Sequence, residues 1–219
     1  MVRKTLQKYF EYLQLSGIDD IYLKPVKAKV KIKIIQSKNI DAKQKLIDLE
    51  EKYKVCKKCS LWKGRNKFCY GNGNPNAKLM LIGEGPGADE DRTGRVFVGR
   101  AGQLLTKMLL AIKLSRDDVY IGNIVKCRPP GNRNPLPEEK KACLPYLEEQ
   151  ISIIKPQILL LLGKVAASTL LEMETTLKAF REQTYSYKGI KTYVSYHPSA
   201  LLRNPGWKKF AWIDLQKIQ

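Results

Sequence analysis

Apolar residues concentrate in four short runs along the chain, at residues 77–84, 118–125, 157–163 and 190–197. The intervals between these runs repeat apolar residues at helical spacing, at 100–114, 138–154 and 164–173. Strands that alternate with helices predict a parallel sheet covered by helices on both faces. We therefore expect an α/β domain over this part of the chain.

The predicted sheet also predicts where function lies. Right-handed connections bring the carboxyl ends of parallel strands, and the loops that follow them, to one edge of the sheet. These loops begin at Glu84, Asn123, Gly163 and His197. We expect the functional site at this edge.

The first forty residues have a different character. A helical pattern at Leu6–Leu15 is followed by a stretch in which lysines alternate with apolar residues, and a helical pattern resumes from Ala42 to Tyr53. We expect residues 1–42 to form a basic N-terminal extension, a short amphipathic helix plus a lysine-rich tether. Residues 43–219 are expected to form the main domain.

Charge narrows the class of partner. The chain has 219 residues with 40 lysines and arginines against 21 acidic residues, a net charge of +19. This balance favours a polyanionic partner such as nucleic acid, although a lysine-rich surface of the thermophilic kind is an alternative. Neither a membrane-spanning run nor a hydrophobic signal core is visible, so we expect a cytoplasmic protein, where cysteines more often bind metal or are buried than form disulfides.

Four of the five cysteines form two pairs. Cys56 and Cys59 make a C-x-x-C, and Cys143 lies 16 positions after Cys127. Zinc and an iron-sulfur cluster both accept four thiolates, but the second pair is too widely spaced for a zinc ribbon, which favours a 4Fe-4S cluster. Zinc is the alternative cofactor, and unconnected buried cysteines are another interpretation. Cys69 has no partner at a suggestive spacing and is expected to be a core or near-surface thiol.

The glycine-rich loop after the first strand does not fit a phosphate-binding loop. The stretch GEGPGADED at 83–91 has G-x-G-x-G spacing, and Pro86 removes a backbone donor that a pyrophosphate would need. The three carboxylates that follow would repel phosphate. The loop is better interpreted as part of an active site that carries carboxylates.

His197 is the only histidine and opens the stretch HPSALLR. Ser199 and Arg203 are suited to phosphate contacts, and Leu201 with Leu202 could form an apolar wedge of the kind that unstacks bases. A surface turn whose leucines return to the core is the structural alternative.

Taken together, these motifs resemble the family 4 uracil-DNA glycosylases, the iron-sulfur members of the uracil-DNA glycosylase superfamily found in thermophilic archaea and bacteria. The resemblance rests on GEGPGADEDRTGRVFVGRAGQLL, GNIVKCRPPGNRNP, HPSALLR and the four paired cysteines, and it covers roughly residues 46–214. Glu84 favours family 4 over the related family 5, which lacks a glutamate after the opening glycine. The resemblance implies a three-layer α/β/α sandwich with a central four-stranded parallel sheet.

The resemblance also implies an enzyme that flips uracil out of DNA and hydrolyses its N-glycosidic bond, which is a step in base excision repair of deaminated cytosine. It assigns catalysis to Glu84 and His197. It assigns substrate binding to Gly85, Glu90, Phe97 and Asn123, with Glu90 near the uracil C5 atom and Phe97 under the base. It assigns DNA contacts to Ser199, Leu201, Leu202 and Arg203. It assigns the ligands of a structural 4Fe-4S cluster to Cys56, Cys59, Cys127 and Cys143.

Other predictions concern partners. We expect a monomer that acts on single- or double-stranded uracil-containing DNA and is associated with the nucleoid. The segment QKYFEYL at 7–13 is faintly similar to a sliding-clamp-binding box. The alternative functions are a non-catalytic iron-sulfur module that binds nucleic acid, and a glycosylase of broader specificity for deaminated bases.

Overall fold

The structure, a computed structural model, describes residues 36–218, and it describes side chains from residue 42 onward. The predicted helix at Leu6–Leu15, the lysine-rich tether and the clamp-like segment lie outside the described residues. Helix α1 begins at Gln36, so it crosses the predicted boundary at residue 42 and includes the helical pattern expected from Ala42 to Tyr53.

The described strands form one six-stranded sheet. They are β1 (Asn72–Gly73), β2 (Leu79–Gly83), β3 (Val119–Asn123), β4 (Ile158–Leu162), β5 (Tyr185–Tyr187) and β6 (Ile190–Ser195). The described helices are α1 (Gln36–Tyr53), α2 (Ala88–Thr93), α3 (Arg100–Ala111), α4 (Pro137–Ile154), α5 (Lys164–Leu171), α6 (Leu177–Glu182), α7 (Pro198–Arg203) and α8 (Lys208–Gln216). Short 3-10 helices lie at Ser60–Lys63, Pro130–Asn132 and Pro205–Trp207.

The four predicted strands are confirmed as the parallel centre of the sheet. In the order β1-β3-β2-β4-β6-β5, the four inner strands pair in parallel and the two short outer strands pair antiparallel to their neighbours. The sheet therefore has six strands, and the expected four are its parallel core. The outer two have two and three residues, too few to form a recognisable apolar run.

The core lies in two layers, one on each face of the sheet. Along β2, Met80 and Ile82 pack with residues of α1, α4 and α5, whereas Leu79 and Leu81 pack with residues of α3 and α8. Successive side chains of a strand point to opposite faces, so burial on both faces explains why the strand sequences are continuously apolar. The predicted three-layer sandwich is confirmed. Within residues 36–218, no helix combines the length and apolar character needed to cross a bilayer.

Candidate active site

A cavity of about 480 Å³ opens at the carboxyl edge of the parallel strands, where the sequence placed the functional site. Its wall includes residues from each of the four loops that follow these strands. The predicted site residues on this wall are Glu84, Gly85, Glu90, Phe97, Asn123, His197, Ser199 and Arg203. The fold thus brings together residues that are more than a hundred positions apart in sequence.

Asn123 ends strand β3 and is only 1% exposed. Within the described residues, its side-chain oxygen Oδ1 is buried and has no hydrogen-bond partner. Buried polar atoms are almost always paired, so an unpaired acceptor beside a cavity needs a donor from water or from a ligand. The backbone carbonyl of the same residue accepts a hydrogen bond from the buried Lys126 Nζ at 3.0 Å.

Phe97 gives the cavity an aromatic surface beside this amide. Its ring centroid lies 5.5 Å from that of His197. Gly83 allows the arrangement, because a Cβ there would lie 2.5 Å from Asn123 Oδ1 and 2.7 Å from Phe97 Cζ. An apolar ring, an amide and an imidazole therefore meet in a space that a larger residue at position 83 would close.

His197 immediately precedes helix α7 and caps it. Its Nδ1 accepts the backbone N–H of Ser199 at 3.2 Å and lies 2.8 Å from the Ser199 hydroxyl. Burial, reinforced by the charge of Arg203, lowers the pKa of His197 to about 4. The imidazole is therefore neutral at neutral pH, and because Nδ1 is an acceptor, the ring proton resides on Nε2.

The two predicted site carboxylates of the glycine loop, Glu84 and Glu90, have different surroundings. Burial raises the pKa of Glu84 from its usual value, and Lys140 partly offsets that effect. Glu90 instead holds the backbone: Oε1 accepts the N–H groups of Val98 and Gly99 at 2.8 and 2.9 Å, and Oε2 accepts that of Gly87 at 3.1 Å. Glu90 lines the cavity as predicted, but its carboxylate also connects two segments of the wall.

Helix α7 requires one correction to the predicted DNA-contacting residues. Leu201 is 1% exposed and packs in the core with residues of α3 and α8. The prediction of Leu201 as a projecting wedge is therefore wrong in this structure, because the stretch folds as a helix and turns that side chain inward. Leu202, the next residue, is partly exposed and is the leucine available for a wedge.

The wall also contains residues to which the sequence assigned no role, among them Lys164, Arg133 and Asn132. The loop that begins at Gly163 was expected at this edge, so Lys164, the next residue, could have been predicted from its position in that loop. Arg133 forms a bidentate ion pair with Glu139, which is fully buried, at 2.7 and 2.8 Å. This interaction lowers the pKa of Glu139 to about 2 and fixes the loop after β3 to helix α4.

The four paired cysteines surround a second, smaller cavity. Cys56 and Cys59 follow helix α1, Cys127 follows β3, and Cys143 lies in α4. Three of the four sulfurs accept hydrogen bonds: Cys56 from Tyr146 Oη at 3.0 Å, Cys127 from Arg65 Nη1 at 3.3 Å, and Cys143 from the Lys126 N–H at 3.3 Å. Donors directed at sulfur stabilise thiolates and are usual around metal–sulfur centres.

In the described part of the chain, no group of three or more Cys, His, Asp or Glu side chains is arranged so that it could hold a metal ion. Cys69 lies apart from the four, buried in the other core layer, with its thiol donating to the Glu90 carbonyl at 3.2 Å. The site therefore consists of four cysteines around one cavity.

Comparison with known proteins identifies the class that this fold and cavity define. The model of the Uracil DNA glycosylase superfamily matches residues 70–216. A type-4 uracil-DNA glycosylase of Sulfurisphaera tokodaii is 43% identical over 180 residues, which cover 78% of this chain and 82% of the relative. Those of Archaeoglobus fulgidus (40% over 183 residues; 80% and 92% covered) and Thermotoga maritima (44% over 158; 71% and 82%) are similar. The chain belongs to the type-4 uracil-DNA glycosylases.

Proposed function

We propose that this chain is an enzyme that excises uracil from DNA by hydrolysing its N-glycosidic bond. The observation that carries the proposal is the unpaired, buried Oδ1 of Asn123 on the wall of a cavity that also contains Phe97 and His197. The type-4 relatives, named for this activity, support the same conclusion.

Asn123 would distinguish uracil from cytosine. Its Oδ1 accepts the N3–H of uracil while its amide NH₂ donates to O4. Cytosine carries an acceptor at N3 and a donor at C4, so both contacts would be lost and buried groups would be left unpaired, at about 1–3 kcal/mol each. Phe97 would stack against the flipped base, a contact worth roughly 1–3 kcal/mol.

His197 would stabilise the leaving group. When the C1′–N1 bond breaks, its electron pair stays on uracil and negative charge develops at O2. A neutral imidazole with its proton on Nε2 donates to that oxygen, and such preorganised donors are worth about 3–4 kcal/mol. The backbone N–H of Gly85, on the same wall, is a candidate second donor.

Glu84 would act on the other side of the broken bond. Loss of the base leaves an oxocarbenium-like sugar, and the carboxylate both balances that positive charge and orients the attacking water. The water oxygen bonds to C1′, and the proton it loses balances the uracil anion. Burial that raises the pKa of Glu84 also suits it to accept that proton transiently.

DNA would be held across the cavity mouth. Arg203 lies on its wall and is suited to phosphate oxygens, and the net charge of +19 attracts the backbone over a longer range. The hydroxyl of Ser199, on the same wall, directs its single hydrogen to His197 Nδ1 and so positions the imidazole. Leu202 would fill the gap left by the flipped nucleotide. Unstacking a base costs a few kcal/mol, which these contacts offset.

We also propose that Cys56, Cys59, Cys127 and Cys143 hold a 4Fe-4S cluster. Their shared cavity and sulfur-directed donors fit a thiolate-bound centre, and the 16-position separation of Cys127 and Cys143, too wide for a zinc ribbon, favours a multi-iron cluster over zinc. When bound, the cluster supplies a structural cross-link between the segment after α1, the loop after β3 and helix α4. The cysteines have no proposed part in the hydrolysis.

The test is release of free uracil from an oligonucleotide that contains one uracil, in single-stranded and duplex form. We expect uracil release and an alkali-sensitive abasic site, with no release from matched oligonucleotides that carry cytosine or thymine. Tight binding of the uracil duplex without any release would contradict the proposal and favour a non-catalytic binding module. Release of hypoxanthine at a comparable rate from an oligonucleotide that contains one hypoxanthine would indicate a broader specificity.

A further inference from the structure

Phe97 lies in a segment whose backbone has an unusual conformation. Residues 94–99 connect helices α2 and α3 without regular secondary structure. Phe97 has φ = 53°, in the left-handed region that residues with a bulky side chain rarely adopt. Such conformations persist only where surrounding contacts impose them, and they concentrate at functional sites.

Side chains from three other parts of the chain impose this conformation. Arg116, in the loop between α3 and β3, donates from Nη1 to the carbonyl of Phe97 at 3.0 Å and from Nη2 to that of Val96 at 2.9 Å. Glu90 Oε1 accepts the N–H groups of the two residues after Phe97, Val98 and Gly99. Asn72 Oδ1 accepts the N–H of Val96 at 3.2 Å. We call Asn72, Glu90 and Arg116 the Phe97 clamp.

Arg116 has the chemistry that this position needs. Two successive carbonyls directed to the same side require two donors at a fixed separation, which the planar guanidinium supplies and a lysine ammonium does not. Helix α3 closes the remaining side, since a Cβ at Gly102 would lie 1.8 Å from the Phe97 carbonyl oxygen. With both terminal nitrogens bound to backbone, Arg116 is committed to the loop and not to DNA phosphate.

We propose that Arg116 is a positioning residue for base stacking: through the Phe97 clamp it holds the aromatic ring at the height where a flipped uracil lies between Phe97 and the polar wall. The proposal rests on the proposed function, because it deepens the stacking role of Phe97. The ring also lies next to His197, so a shift of the backbone at residue 97 would disturb the aromatic surface and the leaving-group donor together.

A double-mutant cycle with Phe97 tests the proposal. We expect Arg116→Gln to lower kcat/KM for uracil release and to weaken competitive inhibition by free uracil, each by about tenfold or more, with Arg116→Lys intermediate. In a Phe97→Ala background, Arg116→Gln should change neither quantity by more than about twofold, because the ring it positions is gone. Equal effects in both backgrounds would overturn the proposal.

The control is Arg95→Gln, which removes the same charge from the exposed side of the same loop. It should leave uracil inhibition unchanged; an effect as large as that of Arg116→Gln would assign the loss to charge and overturn the proposal.

A second measurement does not depend on activity. In protein labelled with 4-fluorophenylalanine, the ¹⁹F signal that disappears in Phe97→Leu reports the ring directly. Arg116→Gln should shift or broaden that signal, while Arg95→Gln should not. An unchanged signal in Arg116→Gln would overturn the clamp, whether or not the protein excises uracil. If the wild type releases no uracil but the Phe97 ¹⁹F signal still changes in Arg116→Gln, the result would contradict the proposed function and leave the clamp intact.

Discussion

The chemistry of His197 depends on a hydrogen bond made by the main chain. The Ser199 N–H occupies Nδ1, so the neutral ring keeps its proton on Nε2. Burial and Arg203 then keep the ring from taking a second proton, which would break the bond at Nδ1. The contact that caps helix α7 thus sets the tautomer, and burial with Arg203 keeps the side chain a neutral donor.

This arrangement predicts how stability depends on pH. The pKa of His197 is about 4 in the folded chain and close to 6.5 when unfolded. Between these values the unfolded chain binds more protons, so this residue's contribution to stability falls as pH decreases from about 6.5 to 4. We expect urea unfolding at pH 7 and pH 4.5 to show a larger loss of stability in the wild type than in His197→Gln. An identical pH dependence would contradict the lowered pKa.

At the scale of elements, helix α7 separates two adjacent leucines. Successive residues of a helix point about 100° apart, so Leu201 enters the core while Leu202 stays partly exposed. The first then contributes to folding and the second is free to contact DNA.

Alanine substitutions should separate these two roles. Leu201→Ala should lower the free energy of unfolding by about 2–5 kcal/mol, as expected for a buried leucine. Leu202→Ala should leave the unfolding free energy within about 0.5 kcal/mol and reduce uracil release from duplex more than from single-stranded DNA, because only the duplex must be unstacked. Equal reduction on both substrates would contradict the wedge.

Much of the architecture follows from local pattern. The four inner strands and helices α3, α4 and α5 were predictable because burial on both sheet faces produces continuous apolar strands between amphipathic helices. Edge strands β1 and β5 were not, because two or three residues paired on one side have no periodicity to detect. For the stretch HPSALLR the sequence leaves open a wedge of projecting leucines and a turn whose leucines return to the core, and the choice between them depends on how the stretch packs against α3.

The site was predictable where a residue lies at or just beyond the carboxyl end of a parallel strand. Glu84, Asn123 and His197 were expected at the carboxyl edge, and all three lie on the cavity wall. Arg116 was not, because it lies in a loop without pattern and its role depends on carbonyls 19 and 20 positions away. Every residue has a backbone carbonyl, so the sequence pattern does not indicate which carbonyls Arg116 binds.

At the scale of the whole molecule, the four cysteines around one cavity come from parts of the chain that are distant in sequence. Cys56 and Cys59 precede the sheet, whereas Cys127 and Cys143 follow its second parallel strand. A cluster at this position would therefore stabilise the fold by closing long loops, and its loss would affect stability before chemistry.

We expect purified protein to contain iron and acid-labile sulfide in equal amounts, and Cys143→Ser to lose both together with much of its thermal stability. Cys69→Ser is the matched control, since Cys69 is also buried but lies in the other core layer. It should keep the full iron content. Stoichiometric zinc in protein purified without oxygen would contradict the cluster.

The central claim is that the cavity recognises uracil through Asn123. The most direct measurement is the single-turnover rate of uracil release by Asn123→Ala, beside an Asn76→Ala control at the exposed amino side of strand β2. Loss of two hydrogen bonds to the base predicts a rate at least about 100-fold below wild type in Asn123→Ala, with Asn76→Ala unchanged and both variants folded. Release of uracil at the wild-type rate by folded Asn123→Ala would contradict the account.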